Sequence, residues 1–318
     1  MSSIKVTILL ATYNGGRFIR DQLDSIVQQT YSNWELLVSD DASTDEMPSI
    51  INEYATLHND KITILPAGIK NQGSVANFNR LFNAAKESGA KYIMFCDQDD
   101  YWFPSKIEVT LNRMLLEEEQ HGKAVPLLIH TNFTYADAGL KPIASKAKFH
   151  ARKLRHLGLP NLIIQNPVYG CTSMFNKSLG DKISDIPSYA ENHDSWIALV
   201  ASAFGEIIYI PESTMLYRQH GGNISTQHDD NSMANRIKRV FFEKKNIKAV
   251  ERKKIIISGF AGIYATELSR EQQEMITDFL AFLNDQKPAL AIANLRRGVR
   301  MQTAGQTLLF YLTAMLRR

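Results

Sequence analysis

The stretch Tyr92–Asp100, with the sequence YIMFCDQDD, decides the fold class of this 318-residue chain. Its first five residues are apolar and indicate a short buried β-strand, which ends directly at a cluster of three carboxylates. In sheets of parallel strands flanked by helices, ligands bind beyond the carboxyl ends of the strands. The stretch therefore predicts an α/β protein with a functional site after this strand.

The same arrangement, a buried strand followed by a polar cluster, occurs twice nearer the N-terminus. Strands are predicted at Val6–Ala11 and Trp34–Val38, and a third, shorter strand at Lys61–Leu65. Helical spacing separates them, over residues 18–29, 47–57 and 75–88. Alternating strands and helices predict a mostly parallel sheet. Farther along, the pattern predicts strands at 127–135 and 207–210, a buried helix at 195–204, helices at 255–268 and 270–283, and a helical face formed by Ile237, Val240 and Phe241.

Composition and targeting signals are those of an ordinary globular protein. Hydrophobic residues make up 44% and charged residues 22% of the sequence. Cys96 and Cys171 follow no zinc-ligand spacing, which predicts buried free thiols and a reducing compartment. The N-terminus lacks the pattern of a signal peptide, and no apolar run reaches the roughly 18 residues that span a bilayer. These features predict a cytoplasmic protein, and we expect no nucleic-acid partner.

Charge is distributed unevenly along the chain. Residues 235–318 contain 16 Lys and Arg against 7 Asp and Glu, whereas the remaining residues contain 20 against 26. Together with the helical pattern, this asymmetry predicts two functional parts, at 1–228 and 229–318, of which the second is a basic helical region. Three interpretations of the basic region stay open: a solvated helical surface, a homodimer interface through the C-terminal helices, or attachment to an anionic membrane face.

The carboxylates of Asp97, Asp99 and Asp100 repel one another unless a positive group lies among them. Magnesium uses one or two protein carboxylates and takes its other ligands from substrate phosphates and water. An exposed turn stabilised by Asx hydrogen bonds would also explain the pattern. The place at the end of a strand favours a metal site, and we expect Mg²⁺ or Mn²⁺ there.

The cluster after the second strand, Ser39–Asp45, has a composition that fits two roles. Asp40 or Asp41 can accept a hydrogen bond from the N3–H of uracil or thymine, a donor that cytosine lacks. Ser43 and Asp45 are residue types that cap helices. Both roles can hold at once, with Asp45 capping the next helix and Asp40 or Asp41 binding a base.

The turn after the first strand contains Thr12, Tyr13 and Asn14, followed by Gly15-Gly16. It offers an accessible backbone and an aromatic face against which a base can pack. The chain contains neither GxGxxG nor GxxxxGK[ST], so a dinucleotide fold or a P-loop is unsupported. Asn71, in the Asn-Gln-Gly turn before residues 75–88, is also expected at the nucleotide.

Two later segments carry further candidates. Asp194 precedes an apolar helix and fits either a helix cap or a general base for an acceptor hydroxyl. In the segment Tyr217–Asn223, Arg218 and His220 stand before two glycines. A guanidinium there suits a diphosphate, because Arg binds phosphate oxygens with two hydrogen bonds.

Taken together, these five segments resemble the family 2 glycosyltransferases, over about residues 4–225. The resemblance implies the GT-A fold, a Rossmann-like sheet that binds the nucleotide sugar within about 1–100 and the acceptor within about 101–228. It also implies that Asp40 contacts the base, that Asp97 and Asp99 face the ribose and the metal, and that Asp194 is the catalytic base. His220 is expected as a third metal ligand. Ala42 stands where the family motif has Gly.

The variants DQDDYW and YRQHGGN resemble bacterial rhamnosyltransferases of that family. The resemblance implies an inverting enzyme that moves a single sugar, rhamnose from dTDP-rhamnose, onto a saccharide acceptor in cell-surface polysaccharide or O-antigen synthesis. The Gln-x-x-Arg-Trp motif of processive members is absent from the sequence. A lipid-linked acceptor would place the enzyme on the inner face of the cell membrane.

Other functions remain as alternatives. A UDP-hexose-dependent transferase is the nearest, and a non-catalytic nucleotide-sugar binding protein is another. A sugar nucleotidyltransferase would need a longer, basic Gly-rich loop after the first strand. A phosphatase of the Asp-x-Asp-x-Thr type would need Thr where this chain has Tyr101.

Overall fold

The computed structural model describes residues 4–66, 68, 70–144, 157–221 and 244–316. Contacts divide the chain into two units. Unit 1 comprises Met1–His156 and Val168–Gly221, and unit 2 comprises Leu157–Pro167 and Gly222–Arg318. The short segment 157–167 thus belongs with the C-terminal region. The helical face expected at Ile237, Val240 and Phe241 and the expected boundary near residue 228 lie outside the described residues.

Unit 1 is built on an eight-stranded mixed sheet with the order β3-β2-β1-β4-β7-β6-β8-β5. Strands β1 to β4 pair in parallel, as do β6 and β8, whereas β7 and β5 pair antiparallel to their neighbours. The parallel pairing that the sequence predicts for most of the sheet is thus found among β1 to β4 and between β6 and β8. The strands are β1 Val6–Thr12, β2 Trp34–Asp40, β3 Ile62–Ile64, β4 Tyr92–Cys96, β5 Tyr101–Trp102, β6 Leu127–Ala136, β7 Ser173–Asn176 and β8 Glu206–Arg218.

Helices cover both faces of this sheet, which explains why its central strands are apolar on both sides. One face packs on the first, second and fourth helices, in a core that includes Ile8, Leu36 and Met94. On the other face, Phe95 contacts Phe78 of the third helix. The helices are α1 Gly16–Val27, α2 Met47–Leu57, α3 Ser74–Glu87, α4 Lys106–His121, α6 Lys177–Lys182 and α7 His193–Phe204, with α5 Leu159–Leu162 in unit 2.

Unit 2 is helical in its described part. Its longer helices are α8 Lys244–Ile263, α9 Arg270–Asp285, α10 Pro288–Arg296 and α11 Ala304–Leu316. The rings of Phe282 and Tyr311 join α9 to α11, with centroids 4.9 Å apart. Among the helices that the structure describes, none combines the length and apolar composition needed to cross a membrane.

Several elements were not predicted from the sequence, chiefly α4, β5 and β7. Helix α4 places Lys106, Glu117 and Glu118 among its buried residues, so its apolar period is interrupted at core-facing positions. Strand β8 is much longer than the predicted 207–210. Its pairing with β6 includes two register shifts, and an irregular ladder of this kind lacks a regular sequence period.

Candidate active site

The candidate site lies at the sheet edge where β1, β2 and β4 end. Thr12 pairs with Asp40 in the register of β1 and β2, and Leu10 pairs with Cys96 in that of β1 and β4. The loops that follow these strands therefore leave the sheet side by side. The parallel strands β6 and β8 also end together, at Ala136 and Arg218.

The loop after β2 is organised around Asp40. Its carboxylate accepts hydrogen bonds from the Thr12 hydroxyl (2.8 Å), the Ser43 amide (2.8 Å) and the Ser43 hydroxyl (2.6 Å). Ser43 therefore does not cap α2, and that expectation is corrected by its contacts with Asp40. The carboxylate is buried but reaches the same edge as the turn after β1.

Two non-glycine residues with positive φ shape these loops: Asn14 (46°) and Ala42 (63°). The Asn14 amide donates to the Ser43 hydroxyl, and its side-chain oxygen accepts from the Thr44 amide, both at 2.8 Å. These bonds fasten the turn after β1 to the loop after β2. Tyr13, which precedes Asn14 in the turn after β1, keeps 44% of its surface exposed.

Asp41 and Asp45 hold backbone rather than facing outward. The Asp41 carboxylate accepts the amides of Gln72 and Gly73 at 2.8 to 3.0 Å and so fixes the turn that contains Asn71. Asp45 accepts the amides of Gly16 at 2.8 Å and Met47 at 3.0 Å, the first residues of α1 and α2. Asp41 thus holds the backbone of this turn, and its contact with a nucleotide stays a prediction.

Each side chain of the tetrapeptide 97–100 has a different neighbour. Asp99 Oδ2 and His220 Nε2 are hydrogen-bonded at 2.7 Å, and Gln98 bonds the backbone of Tyr13. Asp100 is fully buried and accepts the amide of Arg218 at 3.1 Å. Burial and the neighbouring carboxylates Asp99 and Asp194 raise the pKa of Asp97 to about 7. Burial, followed by repulsion from Asp99 and Asp97, raises the pKa of Asp100 well above its ordinary value.

This crowding fits a divalent cation. Ligand atoms of Asp97, Asp100 and Cys171 lie within 4.8 Å of one another. The second oxygen of Asp100 is buried with no hydrogen-bond partner among the described residues. Carboxylates packed this closely are relieved by a positive charge, and hard cations prefer their oxygens. Cys171 and Cys96 are both buried free thiols, as expected.

Asp194 lies in the first turn of α7, close enough to Asp97 to raise its pKa. Its carboxylate accepts the Gly170 amide at 2.9 Å. Burial raises the pKa of Asp194 to about 7, and the amide hydrogen bonds from Gly170 and Ser195 counteract that shift only in part. The N-cap of α7 is Asn192, whose amide donates to the Ser195 hydroxyl at 3.0 Å. Asp194 is thus not the N-cap residue, although it accepts the Ser195 amide in the first turn of α7.

His193, next to Asp194, is a core residue. Its ring stacks on Phe78 at 3.6 Å between centroids, and burial lowers its pKa to about 3. A Cβ on Gly170 would come within 2.4 Å of its Nε2. Only glycine therefore fits at this position, where its amide reaches Asp194.

Arg218 is only 2% exposed on its side chain. Its guanidinium donates to the carbonyls of Asp99 and Ala138, both at 2.6 Å, and to the carboxylate of Asp21 at 2.7 Å. The expected contact with a diphosphate is corrected by these bonds, since the group is buried behind the tetrapeptide. Arg218 instead holds the backbone of Asp99 in place.

Lys106 is a buried cation that the sequence reasoning missed. It has no exposed surface, lies 4.9 Å from the ring centroid of Trp102 and contacts the Thr214 hydroxyl at 3.3 Å. Burial lowers its pKa to about 8, although Cys171, Cys96 and Asp100 oppose that shift. A lysine at the start of an amphipathic helix gives no sign in the sequence that it faces inward.

The structure thus brings most of the predicted residues together at one edge, namely Thr12, Tyr13, Asn14, Asp40, Asp97, Asp99, Asp194 and His220. Asn71 lies in the turn held by Asp41, and Arg218 lies behind the edge. Gly222 and Asn223 of the predicted loop lie outside the described residues.

Residues 7–134 match the model of the family described as glycosyl transferase family 2. Among characterised relatives, dTDP-rhamnosyl transferase RfbG of Shigella flexneri is 28% identical over 222 residues, 67% of this chain and 72% of that protein. The putative glycosyltransferase EpsE of Bacillus subtilis is 32% identical over 143 residues, 44% of this chain and 49% of EpsE. Three mycobacterial relatives are matched over 60% of their length.

Solved structures share the fold. Staphylococcus aureus TarS 1–349 in complex with UDP-GlcNAc superimposes with a TM-score of 0.58 and 16% identity, covering 90% of this chain and 77% of that chain. The mannosyltransferase PcManGT of Pyrobaculum calidifontis, in complex with GDP-Man and Mn²⁺, gives a TM-score of 0.53 and 16% identity, with 98% and 85% coverage. At such identities the likeness establishes the GT-A architecture alone.

Proposed function

We propose that this chain, a glycosyltransferase with a glycosyl transferase family 2 domain, is an inverting, metal-dependent enzyme that adds a single sugar. The observation that carries this proposal is the place of Asp194. A carboxyl with a pKa near 7 lies beside the acidic tetrapeptide, at the edge that also holds Asp40. A base for the acceptor and a site for a nucleotide diphosphate are thus adjacent.

The nucleotide half of the proposed site is the pair of loops after β1 and β2. The base would pack against the exposed ring of Tyr13, and Asp40 would accept its N3–H. Thr12, Asn14 and Ser43 keep these groups in place through the hydrogen bonds around Asp40. Asn71 would lie at the rim, in the turn held by Asp41.

Asp194 would take the proton of the acceptor hydroxyl as that oxygen attacks the anomeric carbon. A general base works best with a pKa near the working pH, and burial brings Asp194 to that range. The Gly170 amide orients the carboxylate. Attack from the face opposite the departing diphosphate inverts the anomeric configuration.

Asp97, Asp99 and His220 would hold Mg²⁺ or Mn²⁺, and the buried oxygen of Asp100 next to Asp97 adds to the crowding that favours a cation. When bound, such a cation stabilises the negative charge of a leaving diphosphate. Arg218 supports this part of the site by bonding the carbonyl of Asp99.

The sugar donor that we propose is dTDP-rhamnose, because RfbG is named as a dTDP-rhamnosyl transferase. A UDP-linked hexose is the second candidate, since TarS was solved with UDP-GlcNAc. The acceptor would be a saccharide hydroxyl in cell-surface polysaccharide or O-antigen synthesis. Residues 1–228 would form the catalytic part and 229–318 the basic helical region.

The test is release of nucleotide from a panel of dTDP-, UDP- and GDP-sugars with Mn²⁺ and a saccharide acceptor. Asp194→Asn keeps the shape and removes the basicity, so transfer should fall by about 10²- to 10⁴-fold while the sugar donor still binds by calorimetry. Asp181→Asn, an exposed pair with Lys177, is the matched control and should transfer normally. Full transfer by Asp194→Asn would refute the base, and preference for GDP-sugars would refute the pyrimidine site.

An anionic membrane is the further partner that we propose, through helix α11. Its outer face carries Leu308 and Leu316, which are 62% and 58% exposed, whereas its buried positions are Thr307, Tyr311, Thr313 and Ala314. Arg296 and Arg300, just before this helix, are exposed cations. Apolar side chains flanked by basic residues suit the surface of an anionic bilayer. The protein would then work at the inner face of the cell membrane, near a lipid-linked acceptor.

Cosedimentation of the full chain with phosphatidylglycerol vesicles at low salt tests this partner. The double variant Leu308→Ser/Leu316→Ser should lose binding. Leu57→Ser removes an equally exposed leucine from α2 and should not. If the wild type binds no vesicles and instead forms a dimer that the double variant dissociates, the helix is a dimer interface.

A further inference from the structure

Gln98 is the one uncharged residue of the tetrapeptide 97–100, and its side chain reaches a segment 85 residues away. Its Oε1 accepts the amide of Tyr13 at 2.7 Å, and its Nε2 donates to the carbonyl of the same residue at 3.0 Å. Both polar backbone groups of Tyr13 are thus bonded by one side chain.

Gly15 shows that this contact is built into the turn. A Cβ at Gly15 would lie 2.5 Å from the Cδ and Nε2 of Gln98 and 2.8 Å from its Oε1. The amide of Gln98 therefore occupies the space that any other residue at position 15 would fill. Gly15 has φ −116°, a value that other residues adopt, so a side chain here would not strain the backbone but would displace the amide of Gln98 from Tyr13.

We propose that Gln98 is a positioning residue. It fixes the position of Tyr13 relative to the neighbouring carboxylates. The turn of Tyr13 would hold the base, and the carboxylates would face the diphosphate. This inference rests on the proposed function, because it assigns the two loops to the two ends of one nucleotide. Gln98 lies between Asp97 and Asp99 in the chain, so a shift of the acidic loop moves the backbone of Tyr13 with it. A ligand that spans both loops gains from this fixed spacing, whereas one that contacts the acidic loop alone does not.

The first test asks whether the contact exists, and it needs no substrate. In the wild-type background Gly15→Ala should lower the midpoint of urea unfolding, because its Cβ displaces the amide of Gln98. In the Gln98→Ala background the same substitution should cost much less, since the obstructing atoms are gone, and the two changes should be non-additive. Gly139→Ala, whose Cβ would meet only an ordinary contact at 3.4 Å, is the control. Additive effects of Gly15→Ala and Gln98→Ala would refute the contact.

The second test measures binding of dTDP, UDP and inorganic pyrophosphate by calorimetry in the presence of Mn²⁺. Gln98→Ala should weaken the nucleoside diphosphates about 10-fold, because binding must then order the turn of Tyr13 that the two hydrogen bonds held, and leave pyrophosphate unchanged. Gln28→Ala removes an exposed glutamine at the end of α1 and should change neither.

The outcomes separate the two proposals. If the wild type binds neither dTDP nor UDP, the proposed function fails and this inference fails with it. If the wild type binds them and Gln98→Ala binds equally well, or weakens pyrophosphate by the same factor, only the positioning role of Gln98 is refuted. A merely structural role would weaken all three ligands together.

Discussion

Replacing Ala42 by glycine should stabilise the protein. Ala42 has φ 63° in the loop between Asp40 and Ser43. A left-handed conformation costs a residue with a Cβ roughly 1–2 kcal/mol. The greater freedom of glycine in the unfolded chain offsets roughly 0.5–1 kcal/mol of that gain. We therefore expect Ala42→Gly to raise the free energy of unfolding by about 0.5–1 kcal/mol, which corresponds to about 1–4 °C in the melting temperature for a domain of this size.

The measurement is urea unfolding followed by tryptophan fluorescence, with Ala84→Gly as the matched control. Ala84 lies in the last turn of α3, and glycine within a helix lowers its stability by up to about 1 kcal/mol. The same chemical change should thus have opposite signs at the two positions. If Ala42→Gly destabilises as much as Ala84→Gly, the backbone of this loop is not strained and the argument fails.

Three further predictions concern the acidic groups. The rate of sugar transfer should fall as the pH is lowered through about 7, because Asp194 must be ionised to act as a base and its pKa is about 7. A rate that stays constant from pH 8 to pH 5 would contradict this role. Stability should change in the same window with the opposite sign. The pKa of the Asp97 and Asp194 carboxyls is about 7 in the folded chain, against an ordinary pKa of 3.8, so the folded chain binds their protons more tightly. The free energy of unfolding should therefore decline as the pH rises from about 4 to about 7. Denaturation at several pH values measures this decline. Asp99→Ala, or treatment of the wild type with EDTA, should nearly abolish transfer without unfolding the protein, and full turnover of either in a nucleotide-release assay would exclude the assigned metal site.

The parts of the fold that were predictable from sequence are those with continuous apolar runs between polar clusters. The observed strands β1, β2 and β4 and helix α2 agree with the expected ranges to within two residues at each end. Helix α4 was not predictable, because Lys106 and Glu118 occupy buried positions and hide its period. The register shift at Pro211 and Glu212 likewise divides the pattern of β8.

The candidate site was predictable as a group of residues but less so as a set of roles. Parallel strands bring their carboxyl ends together, which is why Asp40 and Asp97 could be expected at one edge. Asp40 and Asp41 are adjacent residues of the same type, and only the fold determines that Asp40 bonds the Ser43 amide whereas Asp41 bonds the Gly73 amide. Arg218 shows the same limit, since the sequence around an arginine does not tell whether its guanidinium will be buried or will bind a phosphate.

The path of the chain between the two units has a consequence for genetics and for protein engineering. The chain leaves unit 1 after residue 156, returns at Val168 and leaves again after Gly221. The segment between the first two crossings is tied to the C-terminal region, since Asn161 bonds the carbonyl of Arg300 at 3.2 Å and Gln165 accepts the amide of Gln302 at 2.9 Å. A nonsense codon anywhere before residue 300 would remove these partners of segment 157–167, which lies in the chain between the two parts of unit 1. A late stop codon would therefore also disturb segment 157–167 inside the chain. Shortening this protein requires replacing 157–167 by a linker as well as deleting the C-terminal region.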